Sequence, residues 1–196
     1  MRIAISGFSG CGSTTASNNV AKELGLTVIN YTMTAMSKEM GVTLAELQAM
    51  ALKDAKYDYE IEKKQMELAD ANENCVIASR LAGWAIEHAD LRVWLHASLE
   101  TRAKRIASRE KKPLEEVIAF TKKRDEENAM RYKKLYGVDV NDRDGFDLVV
   151  NTEYLSAQQV AALIVAAAKL AKENNIPKPS KIAKHIRQVI DANLKS

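Results

Sequence analysis

Short apolar runs of four or five residues alternate with longer amphipathic stretches along most of the chain. Runs of this length that contain β-branched residues are typical of buried strands, and the stretches between them have the periodicity of helices. Strands that alternate with helices favour a mainly parallel sheet. We therefore predict an α/β fold with a five-stranded, mainly parallel sheet and helices on both faces. The predicted strands are residues 2–6, 26–29, 75–78, 91–95 and 146–150.

Helix start and stop signals indicate an insertion between the second and third strands. Thr43 begins a capping box in this region, and a further helix is predicted from about Asp58 to Ala71. The region contains about 45 residues with helical pattern, whereas a simple crossover between parallel strands needs only about a dozen. The sequence therefore predicts an inserted helical segment at this point.

A second long helical region follows the fourth strand. Pro113 ends one helix, and another is predicted from Leu114 to about Tyr136. Residues 121–128 are polar on every side, which is not the pattern of a core helix. We expect this helix either to cross solvent or to lie over another part of the protein.

A glycine-rich loop joins the first strand to the first helix. Its three glycines allow a tight turn with inward-pointing N–H groups, and the helix start adds its positive dipole end. Relative to the Walker A pattern, Gly7, Gly12 and Thr14 are in place, but Ser13 occupies the lysine position. Three glycines followed by hydroxyl residues favour phosphate binding over a simple turn. The predicted phosphate-binding residues are Gly7, Phe8, Ser9, Gly10, Cys11, Gly12, Ser13, Thr14 and Thr15.

Composition and charge exclude several classes of protein. The 29 basic and 26 acidic residues give a formal net charge of +3, so we expect neither a nucleic acid nor a membrane as partner. Two cysteines, Cys11 and Cys75, are too few for a disulfide framework or a metal cluster and indicate a cytoplasmic location. No charged leader precedes the first strand, and no apolar run reaches the ~18 residues of a membrane span.

The length of 196 residues allows one domain with inserted segments. Residues 172–196 contain six basic and two acidic side chains, and residues 180–193 have a helical apolar face. We expect residues 1–175 to form the domain and residues 176–196 a basic C-terminal tail or helix. The chain is expected to be a monomer.

Further motifs follow the third and fourth strands. They comprise Arg80-Leu81-Ala82-Gly83-Trp84, the arginines Arg102, Arg105 and Arg109, the segment Thr121-Lys122-Lys123-Arg124, and Arg131-Tyr132. In these motifs the chain, from residue 1 to about 170, resembles the archaeal-type cytidylate kinases, a branch of the nucleoside monophosphate kinases. The resemblance implies a fold of the P-loop NTPase type. It also implies that residues 31–73 form a monophosphate-binding flap and residues 105–145 form a lid.

The resemblance assigns acceptor binding to residues of the flap and of the third strand's motif. Arg80 is implied to anchor the phosphate of the monophosphate, and Gly83 belongs to the same motif. Asp58 and Lys64 are implied to lie on the flap near the nucleoside. An arginine suits this role because its planar guanidinium offers two parallel N–H donors to phosphate oxygens.

The resemblance assigns the remaining roles to residues of the lid and of the glycine loop. Arg109 is implied to bind ATP, Arg124 and Arg131 are implied to be the catalytic lid arginines, and Thr14 is the expected ligand of Mg²⁺. From the residues alone, a solvated helix face with ion pairs at i,i+4 explains Arg105 and Arg109 about equally well.

The implied reaction is magnesium-dependent transfer of the γ-phosphoryl group of ATP to CMP or dCMP. The implied partners are therefore small-molecule substrates. Ser13 departs from the general P-loop motif, which has lysine there, although members of the archaeal branch often have a hydroxyl residue at this position. Thr34 and Ala78 depart from the family pattern, which has arginine at the start of the flap and glutamate before the arginine motif. Two alternatives remain open, namely a nucleotide-binding protein of this fold that lacks efficient transfer, and a kinase for another small acceptor.

Overall fold

The computed structural model describes residues 1–174 and 180–195 of the chain. Five strands form one sheet in the order β2-β3-β1-β4-β5, and every neighbouring pair is parallel. The predicted five-stranded parallel sheet is therefore confirmed. The strands are β1 (Arg2–Gly7), β2 (Thr27–Ile29), β3 (Cys75–Ala78), β4 (Leu91–His96) and β5 (Leu148–Asn151).

Helices separate the strands in the described part of the chain, and none of them is long and apolar enough to cross a membrane. The capping box at Thr43 is present, because the Thr43 hydroxyl accepts from Glu46 N–H and the Glu46 carboxylate accepts from Thr43 N–H. The helices are α1 (Ser13–Leu24), α2 (Met33–Met40), α3 (Leu44–Lys53), α4 (Lys56–Asp70), α5 (Ala82–Ala85), α6 (Leu99–Glu110), α7 (Leu114–Tyr136), α8 (Ala157–Asn174) and α9 (Lys181–Leu194).

The sheet is covered by helices on both faces. Strand residues alternate between the faces, so Ile3 and Ile5 pack with α1 and α8, whereas Ala4 faces the opposite side. That second face carries side chains from α4, α5, α7 and α9. Because β1 lies at the centre, the glycine loop leaves the sheet between β3 and β4. Ligands of parallel sheets bind at this carboxyl edge.

The fifth strand begins two residues later than predicted. Residues 146–150 were expected to form the strand, but Phe146 lies in a turn in which its N–H donates to Arg143 C=O at 3.0 Å. Its ring packs edge-on against Trp84 and Trp94, with centroids 4.8 and 5.4 Å apart. Aromatic packing on the second face, rather than the β ladder, therefore determines the conformation of Phe146.

Helix α9 completes the second face of the sheet. Ile186 and Ile190 are fully buried, and an ion pair of 3.0 Å joins Asp191 to Lys63 of α4. A second pair of 2.8 Å joins Arg187 to Asp70 at the end of the same helix. The predicted boundary between residues 175 and 176 lies outside the described residues and stays a prediction. Helix α9 itself packs into the core on the second face of the sheet.

We expect Ile190→Ala to lower the free energy of unfolding by about 2–5 kcal/mol, because the truncation leaves a cavity in a fully buried site. For a chain of this size the melting temperature should fall by roughly 4–20 °C in thermal denaturation. Gln188→Ala, at an exposed position of the same helix, is the matched control. Equal melting temperatures for the two variants would show that the burial of Ile190 contributes no stability.

Candidate active site

The glycine loop has the backbone conformation that a phosphate cradle requires. Gly10 and Gly12 have φ of 87° and 94°, which lie in the left-handed region that favours glycine. A Cβ atom at Gly7 would lie 2.7 Å from the carbonyl oxygen of Leu95, so a larger residue does not fit there. Gly12 is also the N-cap of α1 and supplies no side-chain cap. The first N–H groups of α1 therefore remain available to an anion.

A cavity of about 390 Å³ opens in front of this loop. One wall is the loop and the first turn of α1, and the other is formed by α6 and by the segment after β5. The combination of N–H donors, arginines and aliphatic side chains suits a nucleotide with its phosphates on the loop. The lining residues are Gly10, Cys11, Gly12, Ser13, Thr14, Thr15, Ala16, Arg105, Arg109, Thr152, Leu155, Ala157 and Val160.

Arg105 and Thr152 connect this cavity's walls and were not among the predicted site residues. The Arg105 guanidinium donates to Gly10 C=O at 3.3 Å and to the Thr152 hydroxyl at 3.0 Å. The Thr152 hydroxyl donates in turn to Cys11 C=O at 3.1 Å. Two sequence signals could have identified them: Arg102, Arg105 and Arg109 share one helical face, and Thr152 directly follows a strand's carboxyl end.

A second cavity of about 220 Å³ lies between α6 and α7, next to the glycine loop. Ser9 belongs to its lining, together with the predicted lid residues Arg109 and Arg124. Arg109 lines both cavities, and its exposed side chain pairs with Glu110 at 3.0 Å. The structure thus brings Arg109 and Arg124 together in one cavity beside Ser9 of the glycine loop.

Arg80 is held directly against the glycine loop. Its guanidinium donates to the Ser9 hydroxyl at 2.6 Å. Behind it, Asp58 of the flap forms an ion pair of 2.8 Å with Arg131 of α7, which also donates to the Asn128 amide oxygen at 2.6 Å. Three of the predicted site residues therefore lie together, and the segments predicted as flap and lid contact each other through two of them.

Glu62 is a buried carboxyl group beneath this cluster. It lies one turn after Asp58 on α4, and only 8% of its surface is exposed. Burial and the neighbouring Asp58 raise the pKa of Glu62 to about 8, although Arg80 and Arg131 oppose the shift. Burial likewise raises the pKa of Asp58, against the opposing effect of Arg131. The i,i+4 spacing of Asp58 and Glu62 could have indicated this second acid.

Two predicted residues lie apart from this arrangement. Lys64 is exposed on α4, about a third of a turn away from the face that carries Asp58. Gly83 is buried, and its N–H donates to the Ser6 hydroxyl at 2.9 Å rather than facing either cavity. Their roles in acceptor binding stay predictions.

Comparison with known proteins gives one consistent result. A family model described as the cytidylate kinase-like family matches residues 2–154. The cytidylate kinase of Thermococcus kodakarensis is 40% identical over 167 residues, which cover 84% of this chain and 86% of the relative. Cytidylate kinase 2 of Borreliella afzelii is 38% identical over 168 residues, covering 84% of this chain and 94% of that protein.

Solved structures with similar folds are more distant in sequence. A shikimate kinase from Bacteroides thetaiotaomicron is 16% identical with a TM-score of 0.57, covering 88% of this chain and 98% of that structure. A deoxyadenosine kinase from M. mycoides with bound dATP is 20% identical with a TM-score of 0.53. The match covers 86% of this chain and 100% of that structure. These likenesses concern the fold alone, and they confirm the predicted P-loop type.

Proposed function

Because this chain belongs to the cytidylate kinase-like family, we propose that it transfers the γ-phosphoryl group of ATP to CMP or dCMP. One observation carries the proposal beyond family membership. The hydrogen bond between Arg80 and Ser9 joins an arginine suited to the acceptor's phosphate to the loop suited to the phosphates of ATP. Two phosphate groups bound on either side of this contact would lie next to each other.

In the proposed reaction, an oxygen of the CMP phosphate attacks the γ-phosphorus of ATP. The bond from that phosphorus to the β,γ-bridging oxygen breaks, and CDP and ADP leave. Such a transfer depends on alignment and charge neutralisation rather than on a covalent enzyme intermediate. Alignment and charge neutralisation are both supplied by the N–H groups of the loop, by Arg80 and by the lid arginines Arg124 and Arg131.

The residues present fit a magnesium ion bound with the nucleotide. Thr14 lines the cavity in front of the glycine loop and is exposed, at the position that holds the metal in P-loop proteins. In residues 1–174 and 180–195, no group of three His, Cys, Asp or Glu side chains could hold a metal ion. We propose that Thr14 and the phosphates hold Mg²⁺, which neutralises phosphate charge when bound.

Arg131 must change partners during this reaction. With Asp58 as its partner, it neutralises a flap carboxylate rather than a phosphate. A phosphate dianion offers a more highly charged, bidentate acceptor, so acceptor binding would draw Arg131 away from Asp58. Asp58 then becomes free to accept hydrogen bonds from the nucleoside.

A coupled assay with ATP, Mg²⁺ and each nucleoside monophosphate tests the proposal. We expect turnover with CMP or dCMP. Absence of turnover with every acceptor would instead favour a nucleotide-binding protein that lacks transfer, the alternative suggested by Ser13. Thermal denaturation with each monophosphate identifies the acceptor separately, because a ligand of the folded state raises the melting temperature.

We propose that the protein acts as a monomer, as its length of 196 residues and its single predicted domain suggest. The cytoplasmic location rests on cysteine usage. Both cysteines are free thiols and are buried.

A further inference from the structure

Arg102 is a nearly buried arginine to which no role has been given so far. It extends from the first turn of α6, and 6% of its surface is exposed. Its guanidinium donates to Ala97 C=O at 3.2 Å and to Ser9 C=O at 3.1 Å. The guanidinium also lies over the ring of Phe8, 5.3 Å from the centroid. Arg102 thus holds the glycine loop by both backbone and side-chain contacts.

The loop and α6 are packed too closely for this contact to vary much. A Cβ atom at Gly10 would lie 2.7 Å from Arg102 C=O and 2.9 Å from Arg102 Cβ. Such separations are shorter than ordinary van der Waals contact, so only glycine allows this approach. The Arg102 guanidinium is therefore fixed relative to the phosphate cradle.

The same guanidinium nitrogen reaches the lid helix. Arg102 Nη1 donates to Asp125 Oδ2 at 2.7 Å, and the two side chains are only 7% and 14% exposed. Asp125 directly follows Arg124, which lines the cavity between α6 and α7 together with Ser9. One ion pair thus connects the glycine loop to the residue next to the proposed catalytic arginine.

Stability alone explains this ion pair poorly. The other carboxylate oxygen, Asp125 Oδ1, is buried and has no hydrogen-bond partner among the described residues. An unsatisfied buried acceptor is unfavourable, and removing two charges from water offsets much of their attraction. A pair of this kind is better explained by the geometry that it fixes.

We propose that Arg102 and Asp125 are positioning residues that hold Arg124 in register with the phosphate cradle. The proposal rests on the proposed phosphoryl transfer. The pair itself contacts no substrate. Its effect is to fix α7 at Asp125 to the loop that binds ATP, so that Arg124 starts close to the phosphates that it must neutralise.

Asp125→Asn tests this role, since it keeps the shape of the side chain and removes its charge. We expect kcat to fall about 10- to 100-fold, as for a catalytic group displaced by about 1 Å. The KM values for ATP and CMP should stay within about threefold, because binding groups are retained. Glu126→Gln is the matched control, since it removes the same charge from the exposed adjacent residue and should leave kcat unchanged.

Arg102→Lys provides a second, independent test of the positioning role. It keeps the positive charge, but one ammonium group cannot make the contacts to Ser9, Ala97 and Asp125 together. The double variant should lose little more than either single variant, because both break one connection. Additive losses would overturn the proposal.

Other outcomes are equally decisive. If Asp125→Asn and Glu126→Gln have the same kcat, the positioning role fails while the proposed function stands. If Asp125→Asn lowers the melting temperature and impairs kcat and both KM values together, the pair is structural only. If the wild-type protein transfers phosphate to no monophosphate, the proposed function fails first, and the positioning role fails with it.

Discussion

Arg124→Ala and Arg131→Ala should each lower kcat by up to about 10³-fold, the magnitude of an arginine that stabilises a phosphoryl-transfer transition state. The loop has Ser13 where P-loop proteins usually have lysine, so one cation is missing beside the β- and γ-phosphates. Neutralisation of the phosphate charge then depends more strongly on the lid arginines. Because these arginines act mainly in the transition state, the KM for CMP should change much less than kcat.

Two further variants make this prediction specific. Arg80→Ala should chiefly raise the KM for CMP, because Arg80 lies beside Ser9 as an acceptor-binding group. Lys122→Ala removes a cation from an exposed position of the same lid helix and should have little effect. Steady-state kinetics on the four purified variants, which gives kcat and the KM for CMP, tests this division of roles. If both lid substitutions leave kcat within about threefold of wild type, the proposed division between lid and anchor is wrong.

Gly83→Ala should lower the free energy of unfolding by about 3 kcal/mol or more, although alanine favours helix over glycine by about 1 kcal/mol. A Cβ atom at this position would lie 2.2 Å from Phe146 Cε1. The backbone cannot easily move away, because Gly83 N–H donates to Ser6 and Gly83 C=O accepts from the buried Arg92. The melting temperature should fall by roughly 6–12 °C.

The controls for this prediction come from neighbouring positions. Gly145→Ala adds the same methyl group where no atom lies within 4 Å, and its melting temperature should stay close to wild type. Phe146→Leu in the Gly83→Ala background should recover part of the loss, since the smaller side chain makes room and the two sites are coupled. A Gly83→Ala protein as stable as Gly145→Ala would refute the packing argument.

Local sequence signals identified the strands and most helices because each signal has a local physical cause. Apolar runs predicted the five strands, and the glycine loop was recognised because its φ values and its N-cap are encoded in three glycines. The capping box at Thr43 is likewise a contact between residues three positions apart. The helix α5 was not predicted, because its four residues are too few to show a helical periodicity. The region of α2 was predicted as helical, but without bounds for this helix.

Contacts between distant segments could not be predicted in this way. The hydrogen bond from Arg105 to Thr152 spans 47 positions, and the ion pair of Asp58 with Arg131 spans 73. Nothing near Gly83 in sequence indicates that Phe146 lies against it. The individual roles of these residues in catalysis stay predictions, because a role depends on where a substrate binds.

Helix α9 has a consequence for the order in which the protein can fold as it is synthesised. It follows the other elements of the described residues, yet Ile186 and Ile190 belong to the core that Ile77 and Trp94 form on the second face. On the ribosome, the sheet and its first face can be complete while this layer still lacks a cover. The nascent chain therefore exposes part of a hydrophobic core until α9 emerges, a state in which chaperones and aggregation compete.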